Sequence, residues 1–180
     1  FVWNSEFPAI MKAGGFDAVI GNPPYIQLSM MDYYDQPTND YISQNYTSSM
    51  GRLNTVGLFI ERALSTILQR GGYLSYIVPN TRLTQEYYQE LRQAMLRYDL
   101  VSIATFRYPV FAGAVVETTV FVLRKSSSQR NRVQLIHYDN RAMTYETKAL
   151  DQSIYRETHT NAFLVNVDSR RLALRAKLEK

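Results

Sequence analysis

Apolar residues along this chain gather into short runs, separated by longer stretches in which they recur every three or four positions. Phe16 to Ile20 is the first such run and predicts a strand. From Thr55 to Arg70 the spacing changes, so that Leu58, Phe59, Ala63, Leu64, Ile67 and Leu68 fall on or near one helical face, and Gly71-Gly72 marks a stop. Tyr73 to Val78 predicts a second buried strand, after which Thr84 caps a helix running to about Tyr98. Val101 to Phe106 and Thr118 to Leu123, rich in Val, Ile, Thr and Phe, predict further strands, and Val133 to Tyr138 an additional one. Asp139 to Thr160 is polar and carries no clear period; Phe163 to Val167 reads as a short strand and Ser169 as the cap of a last helix. Strands alternating with helices imply βαβ units, hence an α/β fold with a mainly parallel sheet.

The 180 residues suit one domain, and 46% hydrophobic content is ample for a core. Cysteine is absent, which excludes disulfides, a thiol nucleophile and thiolate metal sites. His137 and His159 stand in separate segments without ligand spacing, so no metal is expected. No apolar run approaches the length of a membrane span and no signal peptide opens the chain, which points to the cytoplasm and away from a membrane. The net charge of +4 permits nucleic-acid binding without requiring it. Two basic clusters stand out: Arg124, Lys125, Arg130 and Arg132, and then Arg170, Arg171, Arg175, Lys177 and Lys180. Each is either a phosphate contact or a solvated face. The chain opens on Phe1-Val2-Trp3-Asn4 without a start methionine and stops inside a helical pattern, so it reads as a piece of something longer.

The first strand ends at Asn22-Pro23-Pro24-Tyr25. Two consecutive prolines end a ladder and fix their own φ, which makes the turn stiff and holds an amide, a free proline carbonyl and an aromatic ring in place. Ligands of open α/β sheets bind outside the carboxyl ends of the strands, which is where this turn falls.

Asn22 to Tyr25, after its apolar strand, resembles the fourth motif of the amino-methyltransferases that act on adenine N6 in DNA. Leu53 to Leu64 resembles the next family motif, Gly71 to Asn80 the following strand with its lead-in, and Tyr108-Pro109-Val110-Phe111 with Thr118 to Leu123 the last catalytic-domain motif. Four motifs in order, over residues 16 to about 125, are similar to the γ-type enzymes of restriction–modification systems, in particular the Eco57I-like family.

The resemblance implies part of a Rossmann-like S-adenosylmethionine-dependent methyltransferase fold, mostly parallel with one antiparallel strand. Residues 1–125 would be the C-terminal half of the catalytic domain, and 126–180 extra strands and a linker to a target-recognition domain. Only 21 residues precede Asn22, so the family's main cofactor loop is expected upstream of this chain. The side-chain oxygen of Asn22 and the carbonyl of Pro23 would accept the two N6 hydrogens, aiming the nitrogen lone pair at the methyl group. Tyr25 and Phe111 would stack on the flipped base. Pro24 and Phe59 match positions lining the cofactor's adenine, although Phe59 also lies on an apolar helix face.

The implied partners are double-stranded DNA and the remainder of the parent chain, and a fragment cut from its other half would self-associate. Protein-glutamine or RNA-guanine methyltransfer, or a non-catalytic DNA-binding module, are the competing readings. Residues 28–52 form a long tyrosine-rich insertion, either a DNA contact or a lid, whose Asp32, Asp35 and Asp40 read as solvated acids. Asp139 with Glu146-Thr147-Lys148 only faintly resembles a nuclease core, and any nuclease is expected elsewhere in the parent.

Overall fold

Each strand expected up to Tyr138 forms, and a sixth joins them. The computed structural model describes residues 1–26, 36–46, 54–111, 117–128, 131–139 and 144–165. Its strands are β1 (Phe16–Gly21), β2 (Leu68–Pro79), β3 (Asp99–Phe106), β4 (Thr118–Arg124), β5 (Arg132–Tyr138) and β6 (Tyr145–Asp151). They lie in the order β1-β2-β4-β3-β5-β6. β1 is parallel to β2 and β3 to β5, while β4 runs antiparallel between β2 and β3, as expected of the last motif strand. A second strand also opposes the others, because β6 pairs antiparallel with β5. Only a short connection separates Tyr138 from Tyr145, and a parallel return would need a longer crossover. The sequence gives no sign of β6, since Leu150 is its one buried residue.

The helices are α1 (Trp3–Glu6), α2 (Pro8–Lys12), α3 (Gln36–Asn45), α4 (Thr55–Arg62), α5 (Thr81–Thr84), α6 (Gln89–Met95) and α7 (Ile154–Glu157). A π-helical turn, Ala63–Ile67, extends α4. One face of the sheet carries Leu74, Leu100, Leu123, Val133 and Leu135, all fully buried in a core shared with Val56, Ile60 and Leu64 of the α4 segment and Leu91 and Met95 of α6. Because strand side chains alternate, the other face presents Ile20, Tyr73, Ile77, Val120 and Ile136, and there Ile20 is 82% exposed. Trp3 of α1 and Phe7 after it pack on Phe16 at one edge of this face, while Ile20 and Tyr73 are left exposed by the described residues.

Three expectations fail locally, each for a tertiary reason. The helix from Thr55 ends at Ile67 instead of Arg70, because Leu68 already pairs with Phe16 in the sheet. Gly71 and Gly72 then sit in a bulge, between the Phe16–Leu68 and Ala18–Tyr73 pairs, rather than stopping a helix. The helix expected from Thr84 to Tyr98 is shorter and starts later: Thr84 closes α5 instead of capping a helix, a 3₁₀ turn follows at Glu86–Tyr88, and only Gln89–Met95 of α6 is α-helical. Gln85 is extended at the break, and its carbonyl accepts from the Arg92 side chain. Phe163 to Val165 is not a strand: the Phe163 N–H donates to the Leu83 carbonyl at 2.7 Å and its ring packs 5.0 Å from that of Tyr155.

Before β1, Gly14 and Gly15 form the expected turn, with φ of 110° and 120°. A side chain at Gly15 would meet the Ile67 carbonyl at 2.4 Å, so backbone contact there demands glycine. The C-terminal helix expected at Ser169 and the basic residues from Arg170 to Lys180 lie outside the described residues, as do Arg130, Tyr33, Tyr34, Asp32 and Asp35.

Candidate active site

β1 and β2 are parallel, so the turn after β1 and the end of β2 share one rim of the sheet. Pro23 is buried and anchors the turn, leaving Asn22 and Pro24 exposed and Tyr25 at the border of exposure. The Tyr25 hydroxyl lies 2.5 Å from Asn22 Oδ1 and 2.9 Å from the carbonyl of Ile77 on β2. Its single proton serves one acceptor at a time, so the ring is tethered to β2 and the Asn22 amide is held beside it. Burial pushes the Tyr25 phenol up and the Arg82 charge pulls it back, so it stays a neutral donor at physiological pH. The Pro23 carbonyl accepts no hydrogen bond among the described residues.

The second anchor comes from α4. Asn54 caps that helix, its Oδ1 accepting from the Gly57 N–H at 3.2 Å; this gives a plain structural role to a motif residue with no evident chemistry. Thr55, 8% exposed, ties the helix start to the turn. Its hydroxyl donates to the Pro24 carbonyl, the Ile26 N–H donates to Thr55 Oγ1 at 3.1 Å, and the Thr55 N–H donates to the Ile26 carbonyl at 3.0 Å. Sequence reading missed Thr55; the signal lay in its position directly after the cap. Replacing Thr55 with Val keeps the shape and removes the hydroxyl bond, so unfolding by urea is expected to show a loss of about 1–3 kcal/mol. An unchanged midpoint would mean the latch contributes nothing. Phe59, one helical turn beyond Thr55, is 46% exposed, and Pro24 is exposed as well.

β3 is read in the same direction as β2 through the intervening β4, so its exit, with Phe111, opens on the same rim. Phe111 is 39% exposed and Val110 38%. The return of that loop is fixed to β2: the Asn80 N–H donates to the Glu117 carbonyl at 2.9 Å and Asn80 Nδ2 to Glu117 Oε2 at 3.1 Å.

The basic cluster after β4 is not at this rim. Arg124 pairs with Tyr73 and Asp99 at the amino ends of β2 and β3, so the antiparallel strand carries its sequel to the opposite end of the sheet. There Lys125 Nζ donates to the Leu68 carbonyl at 2.6 Å and Arg124 stacks over the Tyr73 ring. Those two cations are tied into local structure rather than forming part of a free phosphate-binding patch. Asp139 pairs with Arg107 at 2.8 Å, Glu146 and Lys148 are exposed on β6, and no metal-binding cluster occurs among the described residues. In the insertion, Asp40 accepts from Gln36 Nε2 at 2.7 Å within α3.

This mixed six-stranded α/β sheet, with β4 inserted antiparallel, is part of a Rossmann-like methyltransferase fold. The same fold appears in the type IIG restriction endonuclease BpuSI, with a TM-score of 0.65 at 18% identity over 91% of this chain and 22% of that one. Residues 1–111 match the Eco57I restriction-modification methylase family, and the chain belongs to it. A Methanocaldococcus jannaschii protein named as a type II restriction enzyme and methyltransferase is 30% identical over 76% of this chain, which spans 11% of that protein. The Escherichia coli type II restriction enzyme and methyltransferase RM.Eco57I is 27% identical over 78% of this chain, which spans 14% of it.

Proposed function

We propose that these residues form part of a site-specific DNA methyltransferase that moves a methyl group from S-adenosylmethionine to adenine N6, in a cytoplasmic restriction–modification system. The observation that carries the reading is the rigid pair of acceptors, Asn22 Oδ1 and the Pro23 carbonyl, on a turn tethered to both β2 and α4. S-adenosylmethionine, when bound, would supply an electrophilic methyl on a sulfonium, and Pro24 and Phe59 are the residues that would line its adenine.

The N6 lone pair of adenine is delocalised into the ring and attacks poorly. Two acceptors that each take one N6 hydrogen favour a more tetrahedral nitrogen with its lone pair directed outward. As the N6–methyl bond formed and the sulfonium–methyl bond broke to leave a neutral thioether, the nitrogen would become more acidic, and the hydrogen held at Asn22 Oδ1 or the Pro23 oxygen would be released to solvent. No group needs to titrate, so the acceleration comes from positioning and preorganised dipoles. The target base must leave the duplex, and the Tyr25 and Phe111 rings replace its lost stacking at about 1–3 kcal/mol each. The open sheet face is where the rest of the parent chain packs, and in its absence a second copy takes its place.

Methylation by the full-length protein of duplex DNA, RNA and peptide, with N6-methyladenine read by mass spectrometry, tests this. Product in duplex DNA is expected; product on peptide or RNA alone overturns the choice of substrate.

A further inference from the structure

Arg82 lies on the single turn α5, just beyond the end of β2, and its charge acts on the phenol of the tethered Tyr25. Its backbone is immobilised, because its carbonyl accepts from Arg92 Nη1 at 3.0 Å. Its side chain is also held: the guanidinium carbon sits 4.0 Å from the centre of the buried Tyr88 ring. Yet the charge is uncompensated. Arg82 is half-buried, no carboxylate pairs with it among the described residues, and its Nε is enclosed without a hydrogen-bond partner. The neighbours that act on its charge are the phenols of Tyr87 and Tyr25. Glu117, on the same rim, is engaged by Asn80.

A partly desolvated cation without a counter-charge is a standing cost that an anionic oxygen at the terminal guanidinium nitrogens would relieve. A guanidinium offers a planar fork for two such oxygens, and stacking on an aromatic ring preorganises it. Every base entering over Tyr25 brings a phosphodiester with it.

We propose that Arg82 holds a phosphodiester of the strand whose base is drawn over Tyr25, fixing the register of that strand on the rim. This rests on the reading of the chain as a DNA methyltransferase. Arg82 would act as a positioning residue, since it reaches the backbone and not the reacting nitrogen.

The test measures binding of a 5′-labelled duplex of about 30 base pairs by the full-length protein, by fluorescence anisotropy over a range of potassium chloride concentrations. Arg82→Met keeps the stem over Tyr88 and removes the charge, and Arg82→Lys restores the charge without the fork. Removal of one phosphate contact reduces the slope of log affinity against log salt by about 0.9 and weakens binding about tenfold near 0.1 M salt. Arg82→Lys is expected to recover the slope. Near-native circular dichroism and melting of Arg82→Met establish that the loss is local. A wild-type slope in Arg82→Met overturns the proposal. If Arg82→Met instead weakens S-adenosylmethionine binding with the DNA slope intact, the anion is the cofactor's carboxylate and the proposal is again overturned. Absence of salt-dependent DNA binding by the wild type overturns the underlying reading as well, which separates the two failures.

Discussion

Changing Asn22 to alanine in the full-length protein is expected to lower kcat for methyl transfer to duplex DNA by about 10²–10³, the effect of deleting one preorganised partner of a developing charge. The turn survives the change. Tyr25 keeps its 2.9 Å bond to Ile77, and the Thr55 latch to Pro24 is untouched. The loss therefore falls on kcat, with DNA affinity close to that of the wild type. Single-turnover kinetics with preformed enzyme–DNA complex separate the two quantities. A variant that binds DNA as the wild type does and methylates at the wild-type rate would remove Asn22 from the chemistry and leave the Pro23 carbonyl acting alone. A variant with weakened DNA binding and normal kcat would move Asn22 from the reacting nitrogen to the strand.

Arg92→Ala is the substitution with the largest expected effect on stability. Its side chain is fully buried, and the guanidinium donates to the carbonyls of Asn161 at 3.1 Å, Arg82 at 3.0 Å, Gln85 at 2.9 Å and Thr160 at 2.8 Å. All four are backbone oxygens, and Thr160 and Asn161 stand at φ of 55° and 54°, a region non-glycine residues seldom occupy. One side chain thus holds a strained turn against the broken helix. Burial lowers the Arg92 pKa to about 10, which leaves it charged at neutral pH. Truncation strands the four oxygens and opens a cavity, with an expected loss of about 3–5 kcal/mol. Lysine does not rescue it, since an ammonium cannot reach four divergent acceptors. Denaturation midpoints of the full-length variants, with hydrogen exchange of residues 158–165, check this. Protection in that turn equal to the wild type would show that Arg92 is not its anchor.

The turn at Asn22–Tyr25 was legible because proline restricts the backbone locally, so its geometry follows from four letters. The positions of the core strands were legible for a similar reason, since runs such as Leu74–Val78 are too apolar to lie elsewhere. What escaped was set by distant parts of the chain. Arg82, just before the expected helix, and Arg92, within it, look alike in sequence, yet Arg92 is enclosed by carbonyls and Arg82 is left without a counter-charge. The cluster at Arg124 and Lys125 seemed equally suited to phosphate until the direction of β4 placed it away from the turn. β6 escaped because an edge strand with a single buried residue has no period to read.

The placement of β4 also governs the order in which this structure can be completed. Residues 118–124 form the middle of the sheet, and Phe121 and Leu123, at 1% and 0% exposure, fill its centre. β2 and β3 emerge earlier during synthesis, yet have no direct pairing with each other. Until β4 wedges between them, the Ile77 tether of Tyr25 belongs to a half-sheet with an open seam. The sheet that carries the turn at residue 22 is therefore closed only after residue 124 has been made, and the delay is one of chain topology, a non-local closure that local helix propensity cannot hasten.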